Sequence, residues 1–149
     1  MVIKVGVLEL QGNFALHHSI LCKLQIESMA VKTRQDLKRV NGLIIPGGES
    51  TTISLLIDSL KLRSSLINFA KNNPVMGTCA GLIMMAKKVS DNRVNPLGLL
   101  NVHMDRNAYG RQIVSKTEIV NFKFFKYKSF PLKTTFIRAP RITKIDDRI

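Results

Sequence analysis

The sequence is short of acid, short of cysteine and without any long apolar run. It has 10 Asp and Glu against 23 Lys and Arg, and 2 cysteines in 149 residues. Each shortage excludes something. A membrane-crossing helix needs about 18 or more consecutive apolar residues, and no stretch supplies them. The opening MVIKVGVLEL lacks the apolar core and small-residue cleavage site of a secretory signal. It reads as a strand, so a cytoplasmic protein with no membrane partner is expected. Cys22 and Cys79 form no CxxC pair and stand at no Cys/His ligand spacing. They show no cysteine-based metal spacing, and in a reducing compartment both should be free thiols. A lone cysteine is by default a small buried apolar residue, which is the expectation for Cys22.

The scarcity of acid leaves a formal net charge of +13. The charge is uneven: residues 1–75 carry nine Lys/Arg against five Asp/Glu, and residues 76–149 carry fourteen against five. A basic surface can hold nucleic acid, but no recognised nucleic-acid motif accompanies this one. It reads as a solvated surface, and nucleic acid is not an expected partner. KFFKYK (123–128) interleaves bases and aromatics and could stack nucleobases. Its alternation fits a half-buried edge strand better. There is no internal repeat and no low-complexity segment. A chain of this length with 45% hydrophobic residues makes one domain, 1–149, with its own core.

What is present is an alternation of strand and helix signals. VIKVGVLEL (2–10) is strand-like. FALHHSILCKLQI (14–26) spaces Leu16, Ile20 and Leu24 four apart, with Phe14 and Leu21 nearby, and predicts a helix. SMAVKT (28–33) is a short strand, and GLIIPGG (42–48) an apolar strand ending in a Gly-rich turn. STTISLLIDSLKL (50–62) opens on Ser/Thr caps and continues with helical spacing; SLINFA (65–70) predicts another helix. PVMGTC (74–79) is a buried strand. AGLIMMAKKV (80–89) predicts a helix with Lys87 and Lys88 at its C-terminal end, where cations suit the dipole. The second half is richer in β-formers and aromatics. LGLLNVHMDRNAYGRQ and EIVNFKFFKYKSF predict antiparallel strands or hairpins. RITKIDDRI, after Pro140, carries no strong signal. The fold class is α/β, a mostly parallel sheet with helices on both faces. In such sheets sites form at the carboxyl ends of the strands. LQGN, PGGEST and GTCAG lie there.

GTCAG sets Cys79 between Gly77 and Gly81 at a strand-to-helix junction. A nucleophile on such a turn needs small flanks for the strained backbone and for close approach. The helix that follows aims its positive end at the sulfur and favours a thiolate. The amide of Ala80 can face an oxyanion. In PGGES, Gly47 and Gly48 can adopt positive φ and expose amides toward developing negative charge.

The blocks LELQGNFALHHS, GLIIPGGESTTI, VMGTCAGLIMMA, GLLNVHMDRNAYGRQ and TFIRAP, in this order from the N-terminus to residue 140, resemble the glutaminase subunit of pyridoxal 5′-phosphate synthase (the PdxT/SNO family). These are class I glutamine amidotransferases with a flavodoxin-like, three-layer fold. The resemblance implies that Cys79 attacks the side-chain amide of L-glutamine. It implies that the amides of Gly48 and Ala80 form the oxyanion hole. Gly48, Glu49, Ser50, Arg106, Ile137 and Arg138 would contact glutamine, and an Arg suits an α-carboxylate through paired charge-assisted bonds. Gln11 would lie near the active site and the interface with the synthase subunit, the partner in a hetero-oligomer. The product ammonia would pass to that subunit; the glutaminase itself needs no metal or cofactor.

The family triad is Cys-His-Glu, with the last two in a His-Pro-Glu after the FIRAP block. This sequence contains no His-x-Glu; its histidines are His17, His18 and His103. His17 matches a family position that is not the base, His18 is its neighbour, and His103 sits in a predicted strand. Without an oriented imidazole the thiol loses its proton acceptor and ammonia its general acid. The expectation is a C-terminally truncated amidotransferase, lacking the last strand and helix and weakly active or inactive. The alternative is a module that docks on the synthase subunit without supplying ammonia. Leu16 stands where the family usually carries Glu, on a helix facing that partner.

Overall fold

The computed structural model describes residues 3–106, 116–123, 129–136 and 139–146. The alternating residues of Lys4–Leu8 (β1) send Val5 and Val7 to one side and Leu8 to the other. This strand pairs in parallel with Glu27–Val31 (β2) and with Gly42–Ile45 (β3). β3 pairs in parallel with Val75–Gly77 (β4), which is shorter than the strand expected over 74–79 and not buried as expected: it ends the sheet order, and Met76 is exposed. The sheet order is β2-β1-β3-β4, so the order reverses beside β1. The crevice between the ends of β1 and β3 is the place where doubly wound sheets bind ligands.

Helices cover both faces, as expected. On one, Phe14–Lys23 (α1) packs Phe14 and Leu21 against Val5, Val7 and Ile44. On the other, Ser50–Ser59 (α3), Arg63–Ala70 (α4) and Ala80–Met85 (α5) join Leu8, Leu43 and Ile45 in the main core. α3 buries Ser50, Ile53, Ser54 and Ile57, the i, i+3, i+4, i+7 set of one helix face. The short helix Arg34–Leu37 (α2) had no counterpart in the sequence reading. A capping box starts it: Thr33 Oγ1 accepts from the Asp36 amide at 3.3 Å while Asp36 accepts from the Thr33 amide at 2.9 Å.

Four more expectations are corrected. The helix over 80–89 stops at Met85, and Ala86–Val89 is a strand (β5). Ala86 turns extended (φ −59°, ψ 155°), and the amides of Leu97, Gly98 and Leu99 bind the carbonyls of Met84, Ala86 and Met85. This loop competes successfully with the last helical turn. Lys87 and Lys88 therefore decorate a strand, and Lys87 pairs with Asp146 at 2.8 Å. Second, Arg141–Ile145 forms a strand (β9) where no element was expected. Antiparallel pairing with Leu100–Asp105 (β6) supplies the order that its own sequence does not announce. Third, the helix expected over 14–26 ends at Lys23 with Leu24 as its C-cap; Leu16, Ile20 and Leu24 are exposed, and the core face of α1 is carried by Phe14 and Leu21. Fourth, Cys22 is exposed, because it lies one residue, about 100° of helix rotation, beyond buried Leu21.

The second half holds the expected antiparallel pairs and one parallel pair that was not expected. β5 and β6 pair in parallel, β6 and β9 antiparallel. Lys116–Phe122 (β7) and Phe130–Phe136 (β8) form an antiparallel ladder. Phe122 and Phe130 meet across it with ring centroids 5.5 Å apart. Most of KFFKYK (124–128) lies outside the described residues.

Candidate active site

Loops from the ends of β1, β3 and β4 meet at the switch point. β3 runs through Pro46 into Gly47, Gly48 and Glu49 before α3 begins at Ser50. The Asn13 amide, from the loop after β1, donates to the Gly47 carbonyl at 2.8 Å. Gln11 Oε1, from the same loop, accepts from the Glu49 amide at 2.7 Å. Gly48 sits under this clasp. A Cβ there would overlap Gln11 Oε1 and approach Gly12 Cα to 2.9 Å, so the loop needs glycine for contact distance and not for the positive φ expected of Gly47 and Gly48, which neither adopts.

β4 leads into the cysteine turn. Cys79 has φ 51° and ψ −108°, backbone that glycine adopts freely and an L residue with a Cβ does not. Its neighbours hold it there. The Thr78 amide donates to the Ile45 carbonyl at 3.1 Å, the Gly81 amide to the Thr78 carbonyl at 2.9 Å, and the Ile83 amide to the Cys79 carbonyl at 3.1 Å. Gly77 and Gly81 face each other so closely that a Cβ on Gly77 would lie 2.6 Å from the Gly81 carbonyl. The turn thus presents an exposed free thiol at the N-cap of α5, with buried Ala80 in the first turn. The PGGES loop is its neighbour: a Cβ built on Gly47 would sit 3.3 Å from the Cys79 Cβ.

Arg106, at the end of β6, reaches the same loop. Its Nη2 donates to Glu49 Oε1 at 2.5 Å and its Nη1 to Asp91 Oδ2 at 2.7 Å. Its side chain is only 10% exposed. Asp91 is held in turn by Arg93, through Nε at 2.9 Å, Nη2 at 2.7 Å and the backbone amide at 3.0 Å. These bonds, first those from the Arg93 side chain and then its amide, keep the Asp91 carboxyl well below the usual range.

The structure therefore brings Gln11, Gly48, Glu49, Cys79, Ala80 and Arg106 together. Ser50 begins α3 directly after this loop; it is 2% exposed, and its Oγ has no hydrogen-bond partner among the described residues. Ile137 and Arg138 lie outside the described residues. One neighbour, Asp91, had not been singled out, and another, His17, had been weighed only as a base. Asp91 could have been noticed as one of five acids in the basic half of the chain. His17, set aside as a base, accepts from or donates to Thr78 Oγ1 through its Nε2 at 3.2 Å. Burial first, then the charge of His18, holds the His17 imidazole below its ordinary range. His18 bonds Glu9 and Ser28 instead, and His103 bonds Asp146 on the β6–β9 side. No imidazole is hydrogen-bonded to Cys79 among the described residues. Nor do they hold a cluster of three or more His, Cys, Asp or Glu able to take a metal, and no helix of theirs is long and apolar enough to cross a membrane.

A doubly wound sheet with a thiol on a strained strand–helix turn, opposite a Gly-rich loop, defines a class: proteins built for nucleophilic attack at a carbonyl. Comparison with known proteins narrows it. The family model of the SNO glutamine amidotransferases matches residues 7–149, and the chain belongs to that family. It is 42% identical over 149 residues to the pyridoxal 5′-phosphate synthase subunit PdxT of Solibacter usitatus, covering 98% of this chain and 78% of that one. It is 44% identical over 142 residues to PdxT of Fervidobacterium nodosum, with 93% and 71% covered. Among solved structures, a glutamine amidotransferase superposes with TM-score 0.85 at 36% identity, covering 96% of this chain and 75% of that one. PurLQS of Thermotoga maritima shares the fold, with TM-score 0.69 at 17% identity over 99% of this chain and 72% of that one.

Proposed function

We propose that this chain is the glutamine-hydrolysing subunit of a pyridoxal 5′-phosphate synthase. L-glutamine and water give L-glutamate and ammonia, and the ammonia passes to a synthase subunit. The observation that carries the reading is the strained Cys79 turn, placed against the PGGES loop in a chain of this family. Cys79 Sγ attacks the side-chain carbonyl of glutamine. Its oxygen becomes an oxyanion, met by the amides of Gly48 and Ala80. The proton of the thiol ends on the amide nitrogen, ammonia leaves the tetrahedral adduct, and water then releases glutamate from the thioester. Glu49 and Arg106 form a carboxylate–guanidinium pair that suits the ammonium and carboxylate of an amino acid. Gly48 and Ser50 shape the loop between them; Ile137 and Arg138 complete the glutamine contacts in this reading. Gln11 clasps the loop from the side where a partner would dock. The exposed stripe of Leu16, Ile20 and Leu24 on α1 supports a partner surface. A cytoplasmic location fits a substrate and product of this kind.

A second reading keeps the docking and drops the turnover. It is favoured by the absence of an imidazole bonded to Cys79 among the described residues. One assay separates the two: glutamate production by the 149-residue polypeptide, with and without a synthase subunit, against Cys79→Ser as blank. Turnover that disappears in Cys79→Ser supports the glutaminase. Turnover equal to the blank, with retained binding to the synthase subunit, supports the docking module. If a His-Pro-Glu segment then restores at least about a hundredfold, the missing part is acid–base chemistry.

A further inference from the structure

The Glu49–Arg106 pair has a third member that the proposed chemistry does not use. Asp91 comes from the connection between β5 and β6, outside the loops that form the site. It takes one nitrogen of the Arg106 fork while Glu49 takes the other. Two anchors on two nitrogens fix the plane of a guanidinium; one anchor lets it swing about that bond. Asp91 is itself immobilised by three bonds from Arg93. The chain of contacts continues into the site, since the Glu49 amide is held by Gln11. The group has two arginines and two carboxylates, so its formal charges cancel before any ligand arrives. Of the five N–H donors of Arg106, two are committed to these carboxylates.

We infer that Asp91 is a positioning residue for glutamine recognition, holding the Arg106 guanidinium in the orientation that receives the α-carboxylate. The inference rests on the reading of Arg106 as that receptor. Asp91 itself touches no substrate. Its loss leaves Arg106 tied, among the described residues, to Glu49 alone and free to turn its remaining donors away from the ligand.

The test uses alkylation of Cys79 by iodoacetamide in the 149-residue protein, followed by peptide mass spectrometry. The rate without ligand reports the thiol; the L-glutamine concentration giving half-protection reports recognition. A second ligand, 4-aminobutanamide, lacks the α-carboxylate. Asp91→Asn should raise the half-protection concentration of L-glutamine about tenfold. It should leave that of 4-aminobutanamide and the unprotected alkylation rate within about twofold. Asp91→Glu should fall between, because it keeps the charge. Unchanged glutamine protection in Asp91→Asn overturns the inference. So does tighter protection, which would mean that removing a competing negative charge outweighs orientation. Equal weakening for both ligands, or loss of the fold, makes Asp91 a structural residue and overturns it too. Arg106→Ala separates the levels. If it leaves glutamine protection intact, the reading of Arg106 fails; if it weakens protection while Asp91→Asn does not, only the inference about Asp91 fails. Absence of any glutamine protection in the wild type rejects the glutamine site and the inference with it.

Discussion

Replacing Cys79 by glycine should stabilise the protein relative to replacing it by alanine. The reasoning starts from φ 51° and ψ −108° at Cys79. A backbone held in so sparsely populated a region costs about 1–3 kcal/mol for a residue with a Cβ. Alanine keeps the Cβ and the strain. Glycine relieves it but adds unfolded-state entropy worth about 0.4–1 kcal/mol. The side chain is exposed, so neither substitution forfeits much buried area. The net expectation is that Cys79→Gly exceeds Cys79→Ala by about 1 kcal/mol, which corresponds to about 2–4 °C in Tm for a chain of this size. Urea and thermal denaturation of both variants give the number. A glycine variant less stable than the alanine variant would show that the turn is unstrained, and the argument that its backbone is held against preference would fall. A positive result would identify the turn as a place where stability is given up to present a thiol.

Two other outcomes follow from local geometry. Gly48→Ala should push Gln11 Oε1 off the Glu49 amide; losing one hydrogen bond weakens glutamine protection of Cys79 by roughly three- to tenfold, read in the same alkylation assay. His17 is held below its ordinary range mainly by burial, so the unfolded chain takes up its proton more readily. Its contribution is intact above the unfolded value of 6.5 and is lost as pH falls through the lower folded value. His17→Gln should therefore lose less stability than the wild type between pH 8 and pH 5, measured by urea midpoints; an equal loss would reject burial as the cause.

The parallel half of the fold was legible because its strands are short runs rich in apolar residues, and β3 is a continuous one closed by Pro46 and Gly47. GLII and VMG needed only their own residues to be read, and their partners follow from the sheet. The cysteine turn was legible for a similar reason: two glycines in five residues announce a backbone that other residues avoid. What escaped depends on distant pairing. β5 looked helical because AGLIMMAKKV has helix-forming residues throughout, while the bonds that end α5 come from residues 97–99. β9 has no pattern of its own and gains order from β6. On α1 the period was readable and the face was not. Leu16, Ile20 and Leu24 are more regular than Phe14 and Leu21, yet sheet residues Val7 and Ile44 decide which side is covered. Arg106 could be proposed from its block, but nothing local predicts that Asp91 and Glu49 would share it.

These two kinds of legibility match two kinds of construction within the site. The nucleophile is placed by backbone alone: the Ile45 carbonyl, the Gly77–Gly81 approach and the first turn of α5 fix the thiol whatever side chains surround it. Such an arrangement is local in sequence, so a short motif encodes it. Recognition is placed by side chains drawn from four separate segments, those of Gln11, Glu49, Asp91 and Arg106. Charge-assisted bonds between them are strong only while their geometry holds, and no segment encodes that geometry by itself. Changes at the turn should therefore alter the reactivity of the thiol toward any electrophile. Changes in the ionic group should alter which molecule reaches it.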